Sequence, residues 1–125
     1  MKLLVVDDSM VARRMLIRAL RQEGLVLDEV REASDGLEAL VAVATFVPDL
    51  VISDLSMPKL DGKKLLVALR QKFTRDRVRV VILTAKATPA TEAVMLELGA
   101  DAFLSKPFEP IPLLNTIREV MARKA

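Results

Sequence analysis

Acidic residues and one lysine stand where short apolar runs of the chain end. Asp7 and Asp8 follow one such run, Asp54 follows another, and Lys106 follows a third. If these runs are parallel strands, their carboxyl ends meet at one edge of a sheet and bring the side chains together. Acids this close remain charged only when a cation holds them, and Mg2+ prefers carboxylate oxygens. The sequence therefore predicts a metal-assisted site for phosphoryl chemistry.

Asp54 is the best candidate for a covalent role at this site. A carboxylate can attack phosphorus and become an aspartyl phosphate. Asp54 stands alone after its apolar run, whereas Asp7 and Asp8 are adjacent and suited to holding a metal. Phosphoryl transfer also needs a cation and a hydroxyl donor, which Lys106 and Thr84 can supply. Each residue alone could simply cap a turn or face solvent, so the hypothesis depends on their convergence.

Apolar runs alternate with longer stretches of helical periodicity along the chain. This pattern is typical of repeated strand, helix, strand units, and it predicts five strands and five helices. Right-handed crossovers then give an α/β fold with a doubly wound parallel sheet of order 2-1-3-4-5, as in flavodoxin-like folds. In that order the first and third strands flank the topological switch point, where the acids are expected. The strands are predicted at residues 2–6, 27–32, 49–53, 79–83 and 101–104.

Cap and turn residues mark the predicted helices. The first is expected to begin at Ser9 and stop at Gly24, and the fourth to run from the cap Thr88 to Gly99. Asp35 three residues before Glu38 resembles a capping box for the second helix, and the third and fifth follow Asp61-Gly62 and Pro110 or Pro112. The inward face of the first helix is predicted as Ala12, Met15, Leu16, Ala19 and Leu20. That of the second is predicted as Leu37, Leu40, Val41 and Ala44.

The composition limits both the chemistry and the partners. The 125 residues, 1–125, fit one domain, and the absence of cysteine and histidine excludes disulfides, thiolate catalysis and a histidine base. No apolar run is long enough for a membrane span or a signal peptide, so a cytoplasmic protein with no membrane partner is expected. No direct nucleic-acid binding is expected either, because no aromatic residues interleave the basic cluster and a solvated helix face is its usual meaning. That cluster consists of Arg13, Arg14, Arg18 and Arg21.

A set of motifs with matching separations covers the whole chain. The set consists of Asp7-Asp8, Asp54 followed by Met57-Pro58 and Gly62, Thr84-Ala85, and Lys106-Pro107-Phe108. With these motifs the chain resembles the receiver domain of bacterial response regulators. The resemblance implies a CheY-like fold and a phosphorylation-activated switch of a two-component system. It also implies a stand-alone receiver, although a piece of a larger regulator would look the same.

The resemblance assigns a role to each matching residue. Asp54 would be the phosphoacceptor, with Thr84 and Lys106 gripping the phosphoryl group. Mg2+ would be bound by Asp8 and Asp54, with Asp7 assisting, and by the backbone carbonyl of Ser56. Ser56 and Lys86 would tune the lifetime of the phosphorylated state. Phe103 occupies the position of the aromatic switch residue, where tyrosine is common, so a hydroxyl contact to a partner is lost.

The resemblance also implies partners. The phosphoryl group would come from a histidine kinase or a histidine phosphotransfer protein. A downstream target or a second copy of the chain would dock on the face made by the fourth helix, fifth strand and fifth helix. Such a protein is not an enzyme in the usual sense, since it catalyses only its own phosphorylation and slow dephosphorylation.

Two other functions use similar residues or the same topology. A phosphatase of the haloacid dehalogenase type needs its nucleophile after the first strand and a second aspartate two residues on, whereas Asp7 and Asp8 are adjacent. A flavodoxin-like electron carrier needs a phosphate-cradling loop and aromatic residues around the flavin, and the chain has no tryptophan and no tyrosine. A colourless purified protein would remove the second alternative.

Overall fold

A parallel sheet of order β2-β1-β3-β4-β5 lies at the centre of the molecule, as predicted. The structure is a computed structural model that describes residues 1–123, so the last two residues of the predicted domain lie outside it. The strands are β1 Lys2–Val6, β2 Glu29–Ala33, β3 Leu50–Ser53, β4 Arg79–Thr84 and β5 Ala102–Ser105. The helices are α1 Met10–Gln22, α2 Gly36–Thr45, α3 Gly62–Lys72, α4 Pro89–Glu97 and α5 Pro110–Ala122. No helix in this part of the chain is long and apolar enough to cross a bilayer.

The strand boundaries differ from the predicted ones mainly at β2 and β5. β2 begins at Glu29 rather than at residue 27, because its register is set by pairing with β1, where Lys2 lies opposite Glu29. This edge strand contains few apolar residues, so the apolar pattern of the sequence did not mark where it begins and ends. β5 is displaced by one residue and ends at Ser105, directly before Lys106.

Apolar side chains cover both faces of the sheet. Successive residues of a strand point to opposite faces, and in β1 Leu4 packs with one cluster whereas Leu3 packs with the other. The first cluster includes side chains from α2, α3 and α4, and the second includes side chains from α1 and α5. The strands are therefore held firmly from both sides, and only their ends are available for chemistry.

Helix α1 begins where predicted, but one of its predicted inward residues is wrong. The Ser9 side chain caps the helix by accepting a hydrogen bond from the N–H of Ala12 at 3.1 Å. Leu16, Ile17 and Leu20 are buried, whereas Met15 is 61% exposed. The buried stripe is centred on Leu16 and Leu20, and Met15 lies at its border and turns outward.

The predicted inward face of α2 is wrong at three of its four residues, whereas the fourth, Leu40, is partly buried and packs against the first cluster. Leu37, Val41 and Ala44 are exposed, and the buried residues are Gly36, Ala39 and Val43. The helix is apolar on almost every side, so its periodicity did not select a face. Close packing selects it instead, because the Gly36 N–H donates to the Leu60 carbonyl at 2.9 Å and an added Cβ would lie 2.5 Å from that oxygen.

The predicted capping box at the start of α2 forms only in part. Asp35 accepts a hydrogen bond from the N–H of Glu38 at 2.8 Å, but the Glu38 carboxylate accepts one from the Ser34 hydroxyl instead of returning to the cap. A reciprocal box is found at α4, where Thr88 and Thr91 bond to each other's backbone N–H groups. Both caps fix the direction in which their helix leaves the loop.

A buried ion pair closes the opposite edge of the sheet, at the amino ends of β4 and β5. Arg70 of α3 donates to the Asp101 carboxylate at 3.0 Å and also to the carbonyls of Gly99 and Val78. Burial lowers the pKa of Arg70 and Asp101 opposes that shift, and an arginine remains charged in either case. Arg123, after α5, donates to the Asp101 carbonyl at 2.8 Å. The end of α5 is thereby tied to this edge.

The start of α3 approaches the end of β3 very closely. The Gly62 N–H donates to the Leu55 carbonyl at 2.9 Å. A Cβ at Gly62 would lie 2.2 Å from the carbonyl oxygen of Asp54 and 2.9 Å from the Cα of Leu55. Only glycine fits here, so Gly62 lets the β3–α3 loop close tightly beside Asp54.

We expect Gly62→Ala to destabilise the fold more than Gly24→Ala does. At Gly24 nothing lies within 4 Å of an added Cβ, and the cost is the strain of a φ of +90°. The free energy of unfolding, measured in urea, should fall by about 3 kcal/mol for Gly62→Ala and by about 1 kcal/mol for Gly24→Ala. Equal losses would show that the contact between α3 and β3 is not tight.

Candidate functional site

The carboxyl edge of the sheet gathers the acids and the lysine predicted from the sequence. Asp7 follows β1, Asp54 follows β3 and Lys106 follows β5. Carboxylate oxygens of Asp7, Asp8 and Asp54 all lie within 4.8 Å of one another. The strand order thus produces the expected convergence at the switch point between β1 and β3.

Asp7 is buried and held through all of its polar groups. Its N–H donates to the Ala33 carbonyl at 3.0 Å, so the main chain continues the ladder with β2. One carboxylate oxygen accepts the N–H of Ser9 at 2.9 Å, and the other accepts the Lys106 ammonium at 2.5 Å. Its carbonyl accepts a hydrogen bond from Arg13 at 2.6 Å. These contacts leave Asp7 little freedom to move.

Asp54 is half-buried and presents its carboxylate to the same lysine. Its N–H donates to the Val6 carbonyl at 3.0 Å, which fixes the backbone beside β1. Its Oδ1 accepts the N–H of Leu55 at 2.6 Å, and its Oδ2 accepts the Lys106 ammonium at 3.1 Å. The Ser53 hydroxyl donates to its carbonyl at 2.8 Å. The carboxylate is therefore oriented but still reachable from solvent.

Lys106 bridges the two acids and carries a positive charge. Burial by itself lowers the pKa of the Lys106 ammonium, but its hydrogen bonds to Asp7 and Asp54 and their negative charges outweigh burial. The pKa of Lys106 consequently lies above its ordinary value. The peptide bond between Lys106 and Pro107 is cis. Lys106 thus offsets part of the repulsion between the carboxylates.

The donor set at this edge fits a hard divalent cation. Asp8 is exposed beside the buried Asp7, and both lie close to Asp54. Ser56, whose carbonyl was predicted as a ligand, is exposed two residues after Asp54, and its N–H lies 3.4 Å from Oδ1 of that residue. Several oxygen ligands of this kind, with solvent access for waters, suit Mg2+. Softer metals would prefer histidine or cysteine, and the chain contains neither.

Thr84, Lys86 and Ser56 form a chain of contacts at the mouth of the site. Thr84 is the last residue of β4, and its buried Oγ1 accepts the N–H of Lys86 at 3.1 Å. The exposed Lys86 ammonium donates to the Ser56 hydroxyl at 3.2 Å. Lys86 therefore links the loop after β4 to the loop after β3, directly beside Asp54.

Phe103 lies inside the fold rather than on its surface. Its side chain is only 9% exposed and packs in the cluster that includes Ile82 and Met95. In β5 it lies opposite Ile82, two residues before the end of β4 at Thr84. The structure therefore places this aromatic side chain inward, on the strand β5 that Lys106 follows and beside the strand β4 that ends at Thr84.

Arg13 is a site residue that the sequence did not indicate. It was predicted to belong to a solvated arginine face, but its side chain is only 12% exposed and it contacts Asp7. A faint signal was available, because a basic residue so close to the start of a helix opposes the helix dipole and needs a compensating contact. Arg14 does fit the solvated interpretation, with a side chain that is 68% exposed.

Comparisons with known proteins agree on one family. A family model described as the response regulator receiver domain matches residues 3–118. The response regulator MprA of Mycobacterium leprae is 38% identical over 123 residues, which is 98% of this chain and 52% of that protein. The chain thus spans about half the length of this relative.

Solved structures give the same result. The chemotaxis response regulator CheY4 of Vibrio cholerae is 34% identical with a TM-score of 0.82, covering 95% of this chain and 97% of that one. The receiver domain of the Francisella response regulator 1452 is 30% identical with a TM-score of 0.83, covering 96% of this chain and 95% of that one. Together with the match of the family model, these similarities show that the chain belongs to the response regulator receiver domain family.

Proposed function

We propose that the chain is a signalling switch that accepts a phosphoryl group on Asp54. The observation that carries this proposal is the Lys106 ammonium, which donates to both the Asp7 and the Asp54 carboxylates. A cation fixed between acids at the reacting position offsets the charge of an incoming phosphoryl group. Membership of a family of phosphoacceptor switches supports the same role.

The proposed donor is a phosphorylated histidine on a histidine kinase or a histidine phosphotransfer protein. A carboxylate oxygen of Asp54 forms a bond to phosphorus while the phosphorus–nitrogen bond of the donor breaks. The electron pair of that bond stays with the imidazole nitrogen, and an aspartyl phosphate results. In this proposal the chain catalyses only its own phosphorylation and slow dephosphorylation, and it does so in the cytoplasm.

Lys106 and Thr84 are the proposed contacts to the phosphoryl oxygens. Lys106 already donates to Asp54 and needs little movement to reach a group attached there. The Thr84 oxygen accepts a hydrogen bond from the Lys86 N–H, so its own O–H is the group that it can donate. Both residues end or follow strands of the sheet, which gives them a rigid base.

Mg2+ is the proposed cofactor. Asp8 and Asp54, with the carbonyl of Ser56, would hold it directly. Asp7 would assist, since both of its carboxylate oxygens already accept hydrogen bonds, one of them from Lys106. The ion, when bound, neutralises charge on the phosphoryl oxygens.

The proposed output involves Thr84, Phe103 and the face formed by α4, β5 and α5. An aspartyl phosphate adds up to about two negative charges and new acceptor oxygens, which should draw the Thr84 hydroxyl toward it. Phe103 lies inward beside β4, where its packing can respond to that movement. A downstream target protein or a second copy of the chain would dock on this face.

Asp54→Asn should abolish labelling by a small phosphodonor such as acetyl phosphate in the presence of Mg2+, because the nucleophilic oxygen is replaced by an amide. Asp49→Asn, at the opposite end of β3, is the matched control and should label like the parent. Mass spectrometry of the intact protein measures the result. One phosphoryl group per chain on Asp54→Asn would refute the assignment.

Lys86→Ala should shorten the lifetime of the phosphorylated state. The Lys86 ammonium donates to the Ser56 hydroxyl beside Asp54. From there it would obstruct a water that attacks the phosphoryl group. Loss of one exposed contact corresponds to an increase of about two- to fivefold in the decay rate. Lys63→Ala, an exposed lysine of α3, serves as the control. If all three proteins lose phosphate at the same rate, Lys86 does not shield the group.

Beryllofluoride, a phosphoryl mimic, should shift backbone amide resonances across residues 85–115 as well as around Asp54. In Phe103→Ala the distant shifts should shrink, because the proposed switch side chain, which packs with Ile82 of β4, is removed. Shifts confined to the Asp54 pocket in the wild-type protein would mean that the α4, β5 and α5 face is not the output surface.

A further inference from the structure

Arg13 occupies an unusual place for a basic residue. It lies in the first turns of α1, whose first turn contains no acidic residue, so its charge opposes the helix dipole. Its side chain is 12% exposed, in contrast to the 68% of the next residue, Arg14. The helix dipole and the loss of hydration both disfavour a positive charge at this position, so the charge requires strong compensating contacts.

Two contacts supply that compensation, and both lead to the acid site. The Arg13 guanidinium donates through one terminal nitrogen to the Asp7 carbonyl at 2.6 Å and through Nε to the Glu32 carboxylate at 3.0 Å. Glu32 belongs to β2 and directly precedes Ala33, whose carbonyl accepts the Asp7 N–H. Asp7 is therefore tied to β2 twice, once by the ladder and once through Arg13.

The contact with the Asp7 carbonyl also affects Asp8. A peptide unit is planar, so fixing the carbonyl of Asp7 fixes the amide of Asp8 in the same plane. The direction in which the exposed Asp8 leaves the main chain then depends on that plane. Arg13 does not need to touch a carboxylate in order to determine where the adjacent acids point.

We propose that Arg13 is a positioning residue that holds the Asp7–Asp8 peptide plane in the orientation needed to bind a divalent cation. The inference rests on the proposed function for the identity of the ion as Mg2+. Glu32 takes part by accepting a hydrogen bond from the guanidinium. The planar guanidinium group therefore connects β2 to the loop after β1. Arg14, which lies 3.9 Å from the other oxygen of Glu32, has no such role.

Electrostatics alone predicts the opposite effect, and this allows a sharp test. Arg13 brings a positive charge close to the acids, so its removal would strengthen binding of a divalent cation if charge were all that mattered. Loss of positioning would weaken binding. Residues that orient metal ligands typically change metal affinity about 10- to 100-fold when they are replaced.

The experiment is a calorimetric Mg2+ titration of the wild-type protein, Arg13→Ala, Arg13→Lys and Arg14→Ala. We expect Arg13→Ala to weaken Mg2+ binding about tenfold. Arg13→Lys should fall between Arg13→Ala and the parent, since an ammonium lacks the planar fork. Arg14→Ala should equal the parent within about twofold, because it removes only a screened surface charge. Unchanged or tighter binding by Arg13→Ala would overturn the proposal.

A second measurement without metal separates this inference from the proposed function. The amide resonance of Asp8 in the metal-free protein should shift and exchange faster in Arg13→Ala and Arg13→Lys, but not in Arg14→Ala. An unperturbed Asp8 amide would overturn the positioning role, even if the wild-type protein binds Mg2+. Failure of the wild-type protein to bind Mg2+ would instead count against the proposed cofactor, while the Asp8 amide still decides the role of Arg13. If Arg13→Ala does not fold, the same two measurements on Arg13→Lys, which keeps the charge, decide whether Arg13 is a positioning residue.

Discussion

The crowding of negative charge at one edge of the sheet is the constraint on which the site depends. Carboxylate oxygens of Asp7, Asp8 and Asp54 lie within 4.8 Å of one another, a separation at which their negative charges repel. Lys106 supplies the balancing charge from the end of β5, at the same carboxyl edge of the sheet. It follows β5, and β4 and β3 lie between β5 and β1, so only a long flexible side chain can reach both Asp54 and Asp7. In turn, the hydrogen bonds and negative charges of Asp7 and Asp54 raise the pKa of the Lys106 ammonium despite its partial burial.

The sequence was most informative where burial leaves a simple pattern. Strands buried on both faces appear as apolar runs, and their polar ends identify the edge that carries chemistry. The strand order and the meeting of Asp7, Asp54 and Lys106 could therefore be predicted. The buried face of α2 could not be predicted, because a helix that is apolar on nearly every side has no distinct apolar stripe. The close contact of Gly36 with Leu60 determines which face is buried. Arg13 was missed for a related reason: its partner Glu32 is distant in sequence, and a local pattern cannot distinguish it from the solvated Arg14.

Backbone hydrogen bonds hold the loop between β3 and α3 in place beside Asp54. The Gly62 N–H ties the start of α3 to Leu55, and the Gly36 N–H ties the start of α2 to Leu60 in the same β3–α3 loop. This loop carries Ser56, whose hydroxyl accepts the Lys86 ammonium from the loop after β4. Two elements that are separate in the chain thus meet over Asp54. A change at that carboxylate is placed to affect both loops at once.

Two arginine contacts at the amino ends of β4 and β5 fix where α5 ends. Arg123 binds the Asp101 carbonyl and Arg79 binds the Arg123 carbonyl, so the end of α5 is fixed at the edge of the sheet opposite the acids. A linker, a surface anchor or a fluorescent label attached at that end leaves the carboxyl edge uncovered. The domain could therefore be immobilised through its C-terminal end with Asp54 still facing the solution, which is the orientation needed for a sensor that reports on phosphodonors.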